Sequence, residues 1–142
     1  MLCLAIESTA HTFGCGIIDD KGKVYANVVD AYKTETGGIH PSEAKKHHEN
    51  VKDKVVEDAL KNANLKLKDI DLISFSQGPG IAPCLIVGMK KAKELASKIN
   101  AKKVSNTGAG GEKAQAPHSF FCFLWNFFFN YNFAFGHPAS DR

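Results

Sequence analysis

Arginine is almost missing from this chain. Of its 18 basic residues only Arg142, the last residue, is not a lysine, so the body has no guanidinium fork for bidentate contacts to phosphate or carboxylate. Acidic and basic residues are interspersed and the formal charge is only +3, which leaves no basic arm or stripe of the kind that tracks nucleic acid. Paired cysteine motifs are absent as well. Cys3, Cys15, Cys84 and Cys122 form no CxxC and fall mostly inside apolar runs, as small buried hydrophobes of a reducing, cytoplasmic setting do. No charged start precedes a long apolar stretch, because Glu7 and His11 interrupt the first run, and no secretory signal is expected. With 142 residues, one domain is the ceiling.

What is present is an orderly body. Leu2 to Ile6 is an apolar run ending in a polar loop, as in a strand buried on both faces. Phe13 to Ile18 reads as a second strand, followed by the turn Asp19-Asp20-Lys21-Gly22, and Lys23 to Tyr32 as a third. After the loop at Gly37-Gly38, Pro41 suits the first turn of a helix in which Ala44, His48, Val51, Val55, Ala59 and Ala63 recur at three- and four-residue steps. His48 is expected on the inner face of that helix and His47 toward solvent. Asp69 to Phe75 reads as a fourth strand. Leu85, Met89, Ala92, Ala96 and Ile99 mark a second helix, and a fifth strand begins within 102–105. The order β-β-β-α-β-α-β predicts a layered α/β domain with the loops after strands one and four on one sheet edge, where such sheets bind ligands.

Beyond Val104 the composition changes. Residues 105–116 are small, polar and glycine-rich, and eight of the ten phenylalanines follow, with every odd position from Phe121 to Phe135 aromatic. A period of two favours a strand, although an uncharged aromatic strand of this length is prone to aggregate. A membrane span over 119–136 is long enough but holds Asn126, Asn130 and Asn132, and aromatic rings prefer the bilayer interface. The expectation is therefore two regions: a lobe over 1–104, and an atypical tail over 105–142, disordered or mis-fused, that does not share the coding history of the body and joins it through truncation, frameshift or read-through near 104–106.

Two loops have the composition for chemistry. Glu7-Ser8-Thr9 leaves a buried strand into a tight turn, where the carboxylate can hold a metal-bound water or a substrate hydroxyl, and Ser8, Thr9 and nearby amides can bind phosphate. The plainer reading is that serine and threonine simply form the turn. Ser76-Gln77-Gly78-Pro79-Gly80 feeds a helix, so its backbone amides and the helix N-terminus can take an anion, or its glycines can merely permit the turn. It is not a Walker loop, since no Gly-Lys-Ser/Thr follows. His47-His48-Glu49-Asn50 lacks the second histidine of HExxH, and the His118/Cys122 spacing reads as coincidence.

Ile6-Glu7-Ser8-Thr9-Ala10-His11-Thr12-Phe13-Gly14, Gly37-Gly38-Ile39-His40-Pro41 with His47-His48, Ser76-Gln77-Gly78-Pro79-Gly80, and Val87-Gly88 with Ala92-Lys93-Glu94-Leu95-Ala96 occur in order along the chain. In this the chain resembles the tRNA N6-adenosine threonylcarbamoyltransferases, most of all the archaeal branch of the KEOPS complex, once described as glycoproteases. The resemblance covers residues 1 to about 104. It implies the first lobe of an actin-like ATPase (ASKHA, ribonuclease H-like) fold, and an acyltransferase that moves threonylcarbamoyl from threonylcarbamoyl-AMP to N6 of adenosine 37 in tRNAs that read ANN codons. It also implies a divalent metal, iron or zinc, and KEOPS-type protein partners including a small kinase. By the same resemblance Glu7, Ser8, Thr9 and His11 line the cleft, and the loop of Ser76, Gly78, Pro79 and Gly80 shapes its rim.

The departures set limits. The resemblance expects a Val-Asn-His segment with a second histidine four residues on, both metal ligands, where Val104-Ser105-Asn106-Thr107-Gly108 stands, so no metal is expected for this chain. Ile86 occupies a position where arginine is usual. The leading expectation is a fragment of the transferase that does not turn over alone. A non-catalytic interaction module of the tRNA-modification complex is the second reading, and an ATPase or sugar kinase of the same superfold the third. A protease finds no nucleophile and base, nor a complete zinc site, in the sequence.

Overall fold

The computed structural model describes residues 1–34 and 37–99, and the backbone of 104–107. Five strands form one sheet: β1 Leu2–Glu7, β2 Thr12–Asp19, β3 Val24–Ala31, β4 Leu72–Ser76 and β5 Val104–Thr107, in the spatial order β3-β2-β1-β4-β5. β2 runs antiparallel to β1 and β3, whereas β4 is parallel to β1 and β5 to β4. Two helices supply the crossovers, α1 Pro41–Asn62 and α2 Ala82–Lys98, and a short 3-10 turn at Leu67–Asp69 precedes β4. This is the α/β order expected from the sequence.

The hairpin between β2 and β3 is set by Asp19, whose Oδ1 accepts the amide N–H groups of Lys21 and Lys23 at 2.9 Å each. Helix α1 starts on Pro41, with Glu43 in its first turn, and its last turn carries Lys61, both favourable to the helix dipole. Asn64 then takes a left-handed conformation (φ 54°) and the Leu65 amide returns to the Leu60 carbonyl at 3.0 Å, closing the helix end.

One face of the sheet carries the main core. Leu4, Ile6, Phe13, Cys15, Ile17, Ile73 and Phe75 point into it and meet Val55, Val56 and Ala59 of α1 and Val87, Ala92, Leu95 and Ala96 of α2. Both helices therefore lie on the same side, as right-handed crossovers moving in one direction across a sheet require. Cys3, Ala5, Ile18 and Leu72 form a separate buried cluster on the opposite face.

Three expectations are corrected in detail. The fourth strand starts at Leu72 rather than Asp69, because Asp71 is used to tie the strand ends: its amide donates to the Leu2 carbonyl at 2.9 Å, and its carboxylate accepts the Leu2 N–H at 2.8 Å. The inner stripe of α2 is Cys84, Val87, Gly88, Lys91, Ala92, Leu95 and Ala96, which turns Leu85 and Met89 to the flank of the helix. His47 is only partly turned to solvent. Its ring lies tilted, 5.9 Å from that of Tyr32, and its Nε2 lies 2.8 Å from Asp30 Oδ1. The aromatic tail, the span weighed at 119–136 and the His118/Cys122 pair lie outside the described residues. No helix among the described residues is long and apolar enough to cross a membrane.

Candidate functional site

The parallel pairing of β1 with β4 brings the loops that follow them to the same sheet edge. They are in direct contact. The Ser8 amide donates to Ser76 Oγ at 3.1 Å, and the Ile81 amide donates to the Thr9 carbonyl at 2.6 Å. Gly80 is seated on the Thr9 backbone so closely that a Cβ would overlap the Thr9 carbonyl. The glycine is thus needed for close approach, and the two segments form one continuous rim.

Glu7 closes its own turn. Its Oε1 accepts the Thr9 amide at 2.6 Å and the Thr9 hydroxyl as well. Burial raises the carboxyl above the usual range, while the Thr9 donors and the nearby His11 pull it back down. Such a group can hold a proton or accept a hydrogen bond at the strand edge. Ser8 is fully buried, and its Oγ has no hydrogen-bond partner among the described residues. It faces Gly88 of α2, where a Cβ would collide with it. His11 is exposed, and its carbonyl takes the Tyr32 amide at 2.7 Å.

At the other loop the Gly78–Pro79 bond is cis, and Pro79 and Gly80 are exposed. The start of α2 offers fewer donors to an anion than its composition suggested. The Ile81 amide is spent on Thr9, Pro83 has none, and the Cys84 and Leu85 amides return to the Ile81 carbonyl. Those not used in these bonds belong to Gly78, Gly80 and Ala82. Beside the loop lies a pocket of about 230 Å³ lined by Phe75, Ser76, Gln77, Ala82, Leu85, Ile86 and Met89. Ile86 is 44% exposed there, so the position at which arginine was expected does reach the rim.

Gly37, Gly38, Ile39 and His40 are exposed, and no atom stands within 4 Å of where a Cβ would sit on either glycine. His48 is fully buried edge-on against Phe13, with its Nδ1 3.3 Å from His47 Nδ1. Burial, then the charges of His47 and His11, push its pKa down to about 4. Sequence reasoning missed Lys91, which is 5% exposed yet charged, held by Asp53 of α1 at 2.6 Å and Glu94 at 3.2 Å. Its position on an apolar helix face was the only available signal.

The metal implied by the resemblance does not fit these residues. β5 opens Val104-Ser105-Asn106 where the resemblance expects Val-Asn-His, and among the described residues no three His, Cys, Asp or Glu side chains converge.

The model of the TsaD family, tRNA N6-adenosine threonylcarbamoyltransferase, matches residues 23–105. The chain is 49% identical over 100 residues to the tRNA N6-adenosine threonylcarbamoyltransferase of Thermococcus gammatolerans, covering 70% of this chain and 30% of that one. It is 46% identical over 97 residues to that of Methanopyrus kandleri, covering 68% and 28%. Among solved structures, YeaZ from Pseudomonas aeruginosa superposes with a TM-score of 0.58 at 17% identity, over 74% of this chain and 42% of that one, which shows a shared fold. The chain spans about 30% of the length of the curated relatives it matches. It belongs to the tRNA N6-adenosine threonylcarbamoyltransferase family.

Proposed function

We propose that this chain is the first-lobe portion of a tRNA-modifying acyltransferase, and that it contributes the Glu7–Thr9 turn and the Ser76–Gly80 loop to the cleft in which threonylcarbamoyl passes from threonylcarbamoyl-AMP to N6 of adenosine 37. The observation that carries this reading is the direct seating of Gly80 and Ile81 on Thr9, which unites two of the segments that carry the family resemblance into one rim. In the assembled site the Gly78, Gly80 and Ala82 amides face the adenylate phosphate and the Glu7 carboxyl accepts a hydrogen bond from the substrate.

The lobe in this proposal is residues 1–104, with 105–142 beyond the part that resembles the family. tRNA and threonylcarbamoyl-AMP are substrates of the completed enzyme, and KEOPS-type subunits, a small kinase among them, its protein partners. Iron or zinc belongs to the longer relatives, whose ligand histidines this segment does not supply. The chain alone forms no product.

The test is a graft. Residues 1–104 replace the matching segment of the Thermococcus gammatolerans relative, and threonylcarbamoyladenosine in tRNA is measured by nucleoside mass spectrometry. The chimera is expected to make the modified nucleoside and to lose most of that activity on Glu7→Ala. A folded chimera that makes none overturns the reading.

A further inference from the structure

His47 and His48 are consecutive on α1, yet their rings meet: the two Nδ1 atoms are 3.3 Å apart and the ring centroids 5.5 Å. His47 also reaches across to β3, where its Nε2 lies 2.8 Å from Asp30 Oδ1. Both of its nitrogens are thus engaged, which fixes the orientation of the ring. His48 turns inward. It is fully buried, edge-on to Phe13 of β2, and its Nε2 has no hydrogen-bond partner among the described residues.

These contacts determine where the ring hydrogens sit. An ionised carboxylate only accepts, so the Asp30 contact places a hydrogen on His47 Nε2. In neutral His47 the Nδ1 is then bare and can only accept. A second bare nitrogen facing it would set two lone pairs against each other, so neutral His48 carries its hydrogen on Nδ1. Its Nε2 is left as a bare acceptor in a place that offers it no donor.

A proton added to the pair reverses this arrangement. The charge belongs on His47, which touches Asp30 and keeps 16% of its side chain exposed, and not on His48, where burial disfavours the cation. Charged His47 holds hydrogen on both nitrogens and its Nδ1 now donates, so His48 Nδ1 must accept and the His48 hydrogen goes to Nε2. The balance is a single proton taken from water, with no other group changing its charge. Other titratable groups also face the pair. His11, in the turn before β2, opposes a positive charge at His48, and the Thr12 carbonyl of β2 favours a proton on that ring. The Tyr32 ring lies 5.9 Å from that of His47, and Lys54 of α1 shares the field of Asp30. We propose that His47 and His48 form a proton-coupled tautomer switch, in which protonation of His47 beside Asp30 moves the hydrogen of buried His48 from Nδ1 to Nε2 while His48 stays neutral. A charge near the surface is thereby read in the core as an acceptor turned donor, against the strand that leaves the Glu7–His11 turn.

Long-range proton–nitrogen correlation spectra of the isotope-labelled full chain separate bare from hydrogen-bearing imidazole nitrogens. His48 is assigned through its contact with the Phe13 ring and His47 through Tyr32. With both histidines neutral, the downfield resonance of a bare nitrogen is expected at His47 Nδ1 and His48 Nε2. On acidification through the range in which histidine titrates, that resonance should vanish from His47 as it charges and move from Nε2 to Nδ1 in His48. His47→Phe should hold His48 in one tautomer over the same range. Should that variant fail to fold, the unsubstituted chain still decides, since a hydrogen on His48 Nε2 while both rings are neutral overturns the proposal. So does a His48 tautomer that stays fixed while His47 charges, or a His48 that becomes a cation first. A folded His47→Phe chain in which the bare nitrogen still moves overturns it too, because the movement then needs no partner ring.

Discussion

Gly88 of α2 sits directly over the Ser8 hydroxyl, and that hydroxyl is buried without a partner among the described residues. The β1 turn and the helix can approach this closely only because one residue has no side chain. Gly88→Ala forces a methyl into filled space and is expected to destabilise the chain by about 1–3 kcal/mol. Ser8→Ala removes a polar atom that gains nothing from burial, and should be neutral or slightly stabilising. Ser8→Gly combined with Gly88→Ala should recover much of the loss. Urea denaturation of the three variants measures this, and a Gly88→Ala protein as stable as the parent contradicts it.

The same reasoning separates two other glycines. Gly80 faces the Thr9 backbone, which cannot move aside as a flexible side chain can, whereas Gly38 faces open space. Gly80→Ala is therefore expected to lower the melting temperature by several degrees, equivalent to about 1–3 kcal/mol. Gly38→Ala should leave it within about 0.5 kcal/mol of the parent. Equal effects at the two positions would remove the basis for treating the two loops as one rim.

The sheet order and the meeting of the loops were legible because they follow from buried runs, crossover rules and turn residues that act locally. Leu2–Glu7 and Leu72–Ser76 read as buried strands, and parallel pairing then fixed where their loops would meet. The inner stripe of α2 was not legible. Leu85 and Met89 are apolar and suitably spaced, but the helix rotates to bring Gly88 against Ser8 and to bury Lys91. Hydrophobic spacing cannot register that a glycine allows close packing, or that a lysine is neutralised by a carboxylate 38 positions away in sequence. The partial burial of His47 was illegible for a similar reason, since its partner Asp30 lies on a different element.

His48 makes stability depend on pH. Its folded-state pKa, lowered to about 4 by burial and by neighbouring His47 and His11, lies below the ordinary value of 6.5. A depressed pKa means that the stability is complete above about pH 6.5 and is lost as pH falls toward 4. The span corresponds to roughly 3 kcal/mol. His48→Gln is expected to flatten the dependence of unfolding free energy on pH between 6.5 and 4, whatever it does to stability at neutral pH. An unchanged slope in the variant would show that His48 is not the group responsible.

Lys91 gives an asymmetric prediction. The lysine is almost wholly buried, but Asp53 and Glu94 are 57% and 42% exposed, so the carboxylates can return to water and the ammonium cannot. Burial alone would lower the Lys91 pKa; hydrogen bonds to Asp53 and Glu94 outweigh it and raise it. Lys91→Met keeps the aliphatic stem and frees two solvated carboxylates, and is expected to cost less than about 1 kcal/mol. Asp53→Asn with Glu94→Gln strands a buried charge and should cost roughly 3 kcal/mol, with the Lys91 pKa falling as a result. Urea titrations of both proteins at neutral pH measure the difference. If the double neutralisation proves milder than Lys91→Met, the buried ammonium has found solvent and the two helices are less tightly joined than the 2.6 Å contact implies.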